Sequence, residues 1–169
     1  MSALEPILKV LEKKVERHKS PLAVDASIID GNFLLHTLLA TKLPVTFGGV
    51  ARSYLMQAVS LSPKRVDIAF DDYPTPSIKD CERARRGIDD SQVFVIEGPD
   101  QIRPKNFDTA LSSRSLKQEF PRFVAEEWRD QSYAHIIGTR NVYLGFRGYC
   151  YYFHVQGNQV ICESVEDMV

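Results

Sequence analysis

Apolar residues recur along the first 20 positions at helical spacing: Leu4, Ile7 or Leu8, Leu11 and Val15, with Lys9, Lys13, Lys14 and Arg17 largely on the other side. This spacing predicts an amphipathic helix over 1–20. Leu22, Val24, Ala26, Ile28 and Ile29 then form an apolar run closed by Asp30-Gly31, which reads as a buried strand. "NFLLHTLLA" reads as a helix with Asn32 in the N-cap position. "FGGVARSYLMQAVSLS" predicts a second helix, entered through Gly48-Gly49, with Val50, Tyr54, Leu55 and Ala58 on its apolar side. In "KRVDIAFDD" a second buried strand carries Val66, Ile68 and Phe70 into Asp71 and Asp72. Two apolar strands separated by helices point to a parallel sheet and an α/β fold.

From 88 to 114 the pattern dissolves into a long loop with one short apolar run, Val93 to Ile96. A loop of that length in a compact domain is usually functional or mobile. Helical spacing returns through Leu116, Phe120, Phe123, Val124 and Trp128, with Pro121 inside it, where a kink or break is expected. The last third alternates or runs apolar in "NVYLGF", "YCYYFHV" and "QVICESV", with Gln156 to Asn158 as a hairpin turn. The expected organisation is the helix of 1–20 followed by one domain over 21–169.

Composition changes this picture little. The chain has 169 residues, 44% hydrophobic and 25% charged, enough for one domain with a real core. A formal net charge of -1 gives no bulk attraction to nucleic acid, so such a partner would be met by a local basic patch. Cys81, Cys150 and Cys162 are odd in number, widely spaced and in no zinc pattern. They read as reduced thiols in an intracellular, nuclear or cytoplasmic protein. No apolar run reaches the ~18 to 20 residues of a membrane span, and 1–20 mixes acids with bases and lacks the apolar centre of a signal peptide.

In parallel sheets, ligand-binding residues gather at the carboxyl ends of strands. Both candidate strands end there in acids, Asp30 on the first and Asp71 with Asp72 on the second. Were the strands neighbours, two carboxylates facing one cleft would repel, and a hard divalent cation such as Mg²⁺ or Mn²⁺ would relieve the conflict. Each Asp also suits a turn or helix cap. After Pro76, a helix carrying Lys79, Arg83, Arg85 and Arg86 sets Lys79, Arg83 and Arg86 on one stripe, suited to a phosphate backbone or simply to solvent. His36 could approach the cleft, and a shifted register would substitute Asp25 for Asp30. Tyr149, Tyr151, Tyr152 and Phe153 could stack bases or fill a β-core.

"IIDGNFLLHTL" resembles the first-strand motif of the flap-endonuclease-type, PIN-like 5′ nucleases. "DIAFDDYPTPSIKDCERARRG" resembles their second, a strand ending Phe-Asp followed by prolines and a Lys/Arg-rich helix. The "SIIDGNFLLH", "SIK…ER.RRG" and "EEW" pieces, in order, also resemble PIN-like proteins of animal genomes associated with mobile elements. The resemblance implies a three-layer α/β domain with a central, mainly parallel sheet, incomplete at the C-terminus. It implies Asp30 and Asp71 as catalytic residues and Asp30, Asp71 and Asp72 as ligands of Mg²⁺ or Mn²⁺. Lys79, Arg83, Arg85 and Arg86 would contact nucleic acid, DNA in preference to RNA. The later acidic clusters of such nucleases have no counterpart here. Glu163, Glu166 and Asp167 do not follow the strand–acid–helix order. The expectation is therefore a nuclease-type domain of weak or no activity, the alternative being a non-catalytic remnant that binds nucleic acid or protein.

Overall fold

The computed structural model describes residues 24–38, 43–61, 64–72 and 93–165. The expected N-terminal helix, the basic residues Lys79, Arg83, Arg85 and Arg86, and Cys81 lie outside the described residues. The chain forms strand β1 (Ala26–Asp30), helices α1 (Gly31–Leu38) and α2 (Phe47–Ser60), then strand β2 (Arg65–Ala69). A short helix α3 (Phe107–Ala110) precedes the long α4 (Arg114–Glu127). A 3₁₀ turn (Gln131–Tyr133) leads into α5 (Ala134–Ile137), and strands β3 (Asn141–Phe146), β4 (Tyr149–Gln156) and β5 (Gln159–Ser164) complete it.

The sheet is mixed, in the spatial order β1-β2-β3-β4-β5. β1, β2 and β3 are parallel, with Ile29 opposite Ile68 and Ile68 opposite Leu144. β4 and β5 add antiparallel hairpins. The α/β class holds, while the parallel part is confined to three strands.

Parallel strands that advance in one direction through right-handed crossovers place both helical connections on one face. The burial pattern agrees. Ile29, Val66, Ile68, Val142, Leu144 and Phe153 are buried under the helices. The alternate positions face the other way: Ile28 is 85% exposed, and Ala26, Arg65 and Ala69 are exposed as well. The first strand is therefore not buried on both faces as its apolar run suggested. Among the described residues the domain has two layers, and that open face carries no helix. It carries instead a row in which Arg65 lies over the Tyr143 ring, Tyr143 stacks on Tyr152, and Tyr152 stacks on His154.

The core under the helices is aromatic. Phe47 makes edge contacts with Phe94, Phe107 and Phe123 at ring separations of 5.9–6.2 Å. Trp128, the single tryptophan, is fully buried, donates to the Ala51 carbonyl and meets Phe153 edge-on at 5.7 Å. Such pairs add directional contact to the area they bury. Val50, Tyr54, Leu55 and Ala58 all face this core, as their spacing predicted.

Two local expectations are corrected. Helix α4 runs unbroken through Pro121, which is buried with its neighbours Phe120 and Phe123. Packing of the apolar stripe outweighs the one backbone hydrogen bond that a proline nitrogen cannot make. The long loop also has order over its described part. Gln101 and Pro99 carbonyls accept from the Phe47 and Gly48 amides, and Thr46 bridges to Ile102. A Cβ on Gly48 would lie 2.6 Å from Pro99, and one on Gly49 2.5 Å from Pro44. The glycine pair at the helix entry is what admits these two loops.

Candidate functional site

β1 and β2 are parallel neighbours in a register that sets Asp30 opposite Ala69, and Asp71 and Asp72 follow two and three positions later. The three residues thus lie at the carboxyl end of adjacent strands, and all three are exposed. β3 ends at the same edge, because the Phe70 amide donates to the Gly145 carbonyl at 2.8 Å.

The "Asp-Gly" and "Phe-Asp" pieces are locked together by packing. The ring of Phe70 lies against Gly31 so closely that an added Cβ would stand 2.6 Å from a ring carbon. Tyr54, from α2, stacks on Phe70 at 6.2 Å and 22° and donates its hydroxyl to the Gly31 carbonyl at 2.9 Å. Burial, and then the nearby charge of Asp30, hold the Tyr54 phenol well above the ordinary tyrosine range. It therefore stays a neutral donor throughout physiological pH. Tyr54 and Phe70 hold the corner that presents Asp30.

Asp30 also does the work of a cap. Its Oδ1 accepts the Phe33 amide at 3.0 Å, satisfying one of the free donors at the start of α1. Asn32 lies inside the helix, so the expected N-cap moves to Asp30. Asp25 is at the opposite, amino end of β1 in an ion pair with Lys64 and cannot replace Asp30. Asp67, in mid-strand on the open face, is held by Arg65.

Among the described residues no three His, Cys, Asp or Glu side chains gather into a group that could hold a metal ion. Two-metal phosphodiester hydrolysis needs carboxylates enough to hold ions ~3.5–4 Å apart. Asp30, Asp71 and Asp72 do not fit that donor set. Glu163 sits on β5 against His154 at 3.2 Å, on the open face, and Glu166 and Asp167 lie outside the described residues. His36 is exposed. Within the aromatic run, Phe153 is core while Tyr152 joins the open-face row. Cys150 and Cys162 are free, and burial pushes both thiols up, away from the reactive thiolate.

Tyr54 and Phe70 build this corner from positions that the apolar spacing marks only as core.

No protein-family model, curated protein or solved structure matches the chain. No helix among the described residues is long and apolar enough to cross a membrane.

Proposed function

We propose that the chain is a PIN-like, nuclease-type domain that engages nucleic-acid phosphodiesters, DNA in preference to RNA, and cuts them weakly or not at all. The observation that carries the reading is the juxtaposition of Asp30 with Asp71 and Asp72 at the carboxyl end of two adjacent parallel strands, where α/β sheets receive ligands. Asp30, Asp71 and Asp72 are the residues that would face Mg²⁺ or Mn²⁺. Their number falls short of a two-metal centre, which is why cleavage would be weak or absent. Lys79, Arg83, Arg85 and Arg86 would supply phosphate contacts, and binding of that kind weakens steeply with salt.

The test uses the purified chain with labelled flap and single-stranded DNA and RNA, with Mg²⁺ or Mn²⁺. Asp30→Asn, Asp71→Asn and Arg83→Ala/Arg86→Ala variants accompany it. Salt-sensitive binding that favours DNA and falls in the arginine variant, with little cleavage, is expected. Efficient cleavage would overturn the claim of weak activity, and cleavage unchanged in both aspartate variants would remove the site from Asp30 and Asp71. Absence of binding to every strand would overturn the nucleic-acid reading.

A further inference from the structure

β5 is an edge strand, bonded to β4 on one side. The Val165 amide donates to the Cys150 carbonyl at 2.8 Å, which makes these two residues a hydrogen-bonded pair of the antiparallel ladder. Such pairs alternate with pairs that exchange no bond. Counting back through the register, Glu163, Ile161 and Gln159 turn their amides and carbonyls toward β4, while Ser164, Cys162 and Val160 turn theirs outward. The Val160 amide shows this directly, since it donates to the Gln131 side-chain oxygen at 2.9 Å. Among the described residues no strand pairs with that outer edge.

An unpaired edge is a template for another strand, and proteins blunt such edges with lysine, proline or a bulge. Gln159–Ser164 contains neither lysine nor proline and pairs with β4 residue for residue, without a bulge. Its one charge, Glu163, is held on the open face by His154. What covers the edge is Gln131, an exposed residue of the 3₁₀ turn, and it fills a single outward position. A side chain can rotate away from an amide, so this cover can open.

We infer that the outer edge of β5 is a strand-addition surface whose partner is the β5 strand of a second copy of this chain, and that the Gln131 side chain is its latch. A row of outward amides and carbonyls is matched by another extended backbone. β5 offers that backbone to itself, because antiparallel pairing about a two-fold axis is self-complementary. With the axis at Cys162, that residue meets its own copy, Val160 meets Ser164, and Ile161 meets Glu163. No like charges then stand directly opposite, whereas an axis at Glu163 would set two carboxylates face to face. Pairing at Val160 requires Gln131 to leave, which exchanges one hydrogen bond for another. The contact is small, so the association is weak and concentration-dependent. It does not rest on the nucleic-acid reading, because β5 and the Asp30 strand β1 lie at opposite edges of the sheet.

Analytical ultracentrifugation of the purified chain, up to about 200 µM, should show monomer passing into dimer. Gln131→Ala removes the latch from both copies and should lower the dimer midpoint roughly tenfold. Ser164→Pro deletes an outward amide that the β4 ladder does not use, a change that edge strands tolerate. It should abolish the dimer while the melting curve stays cooperative. Monomer at every concentration in both wild type and Gln131→Ala would overturn the surface. A dimer that persists in Ser164→Pro would place the contact elsewhere and overturn it as well. Gln131→Ala associating no more tightly than wild type would overturn the latch.

Discussion

Replacing Gly31 by alanine tests whether the two acidic strand ends are joined by packing rather than by chance. The new Cβ would stand 2.6–2.7 Å from three atoms of the Phe70 ring, well inside contact distance. That ring has little room to yield. It is 7% exposed, stacked on Tyr54 at 6.2 Å, tilted against Phe120 at 6.4 Å, and its backbone is bonded to β3. Overpacking of this kind costs about 1–3 kcal/mol. Alanine returns up to ~1 kcal/mol as the better helix former at the start of α1. The steric term wins, leaving a net loss of about 1–2 kcal/mol, or a fall in Tm of roughly 2–8 °C. Urea unfolding followed by the emission of buried Trp128 measures it directly. In a Phe70→Leu background the smaller side chain makes room, and the cost of Gly31→Ala should drop by at least ~1 kcal/mol. A Gly31→Ala protein as stable as wild type or more so, with no coupling to position 70, would refute the packing argument.

The two roles of Asp30 separate by substitution. Asp30→Asn keeps an oxygen for the Phe33 amide and should leave stability within about 0.5 kcal/mol, whereas Asp30→Ala should cost about 1 kcal/mol in urea unfolding. For Glu119, burial raises the carboxyl pKa, but hydrogen bonds from Arg122 and Ile96 and the charges of Arg122 and Arg147 outweigh it, so the value lies below the ordinary glutamate range. A lowered folded-state pKa means the stabilisation is present above the unfolded value and is lost as pH falls through the folded one. Glu119→Gln should therefore cost up to about 1 kcal/mol at pH 7, because water screens the half-exposed Arg122 partner, and the gap in urea midpoint should close toward pH 3. A gap constant across that range would refute the ion-pair account.

Local patterns in the chain determined more of the fold than of the site. The periodicity of Val50, Tyr54, Leu55 and Ala58 was enough to place α2 on the core, and the alternation of Val66, Ile68 and Phe70 was enough to orient β2. Both follow from helical and strand geometry acting over a few residues. Pattern also placed acids at two strand ends, because a strand that stops on Asp-Gly or Phe-Asp is visible without knowing its neighbours. Periodicity failed where the outcome depends on distant partners. Ile28 reads as core, yet it is exposed because strand order and crossover direction put every described helix on the other face. Pro121 reads as a kink or a break, and of these the break is absent, since the stripe through Phe120 and Phe123 holds α4 together. The sequence alone determined which residues could be acids at a strand end. Only the tertiary structure decided that β1 and β2 are adjacent and that Phe70 rests on Gly31. Contacts between residues some forty positions apart depend on how whole elements pack, and no local spacing records that.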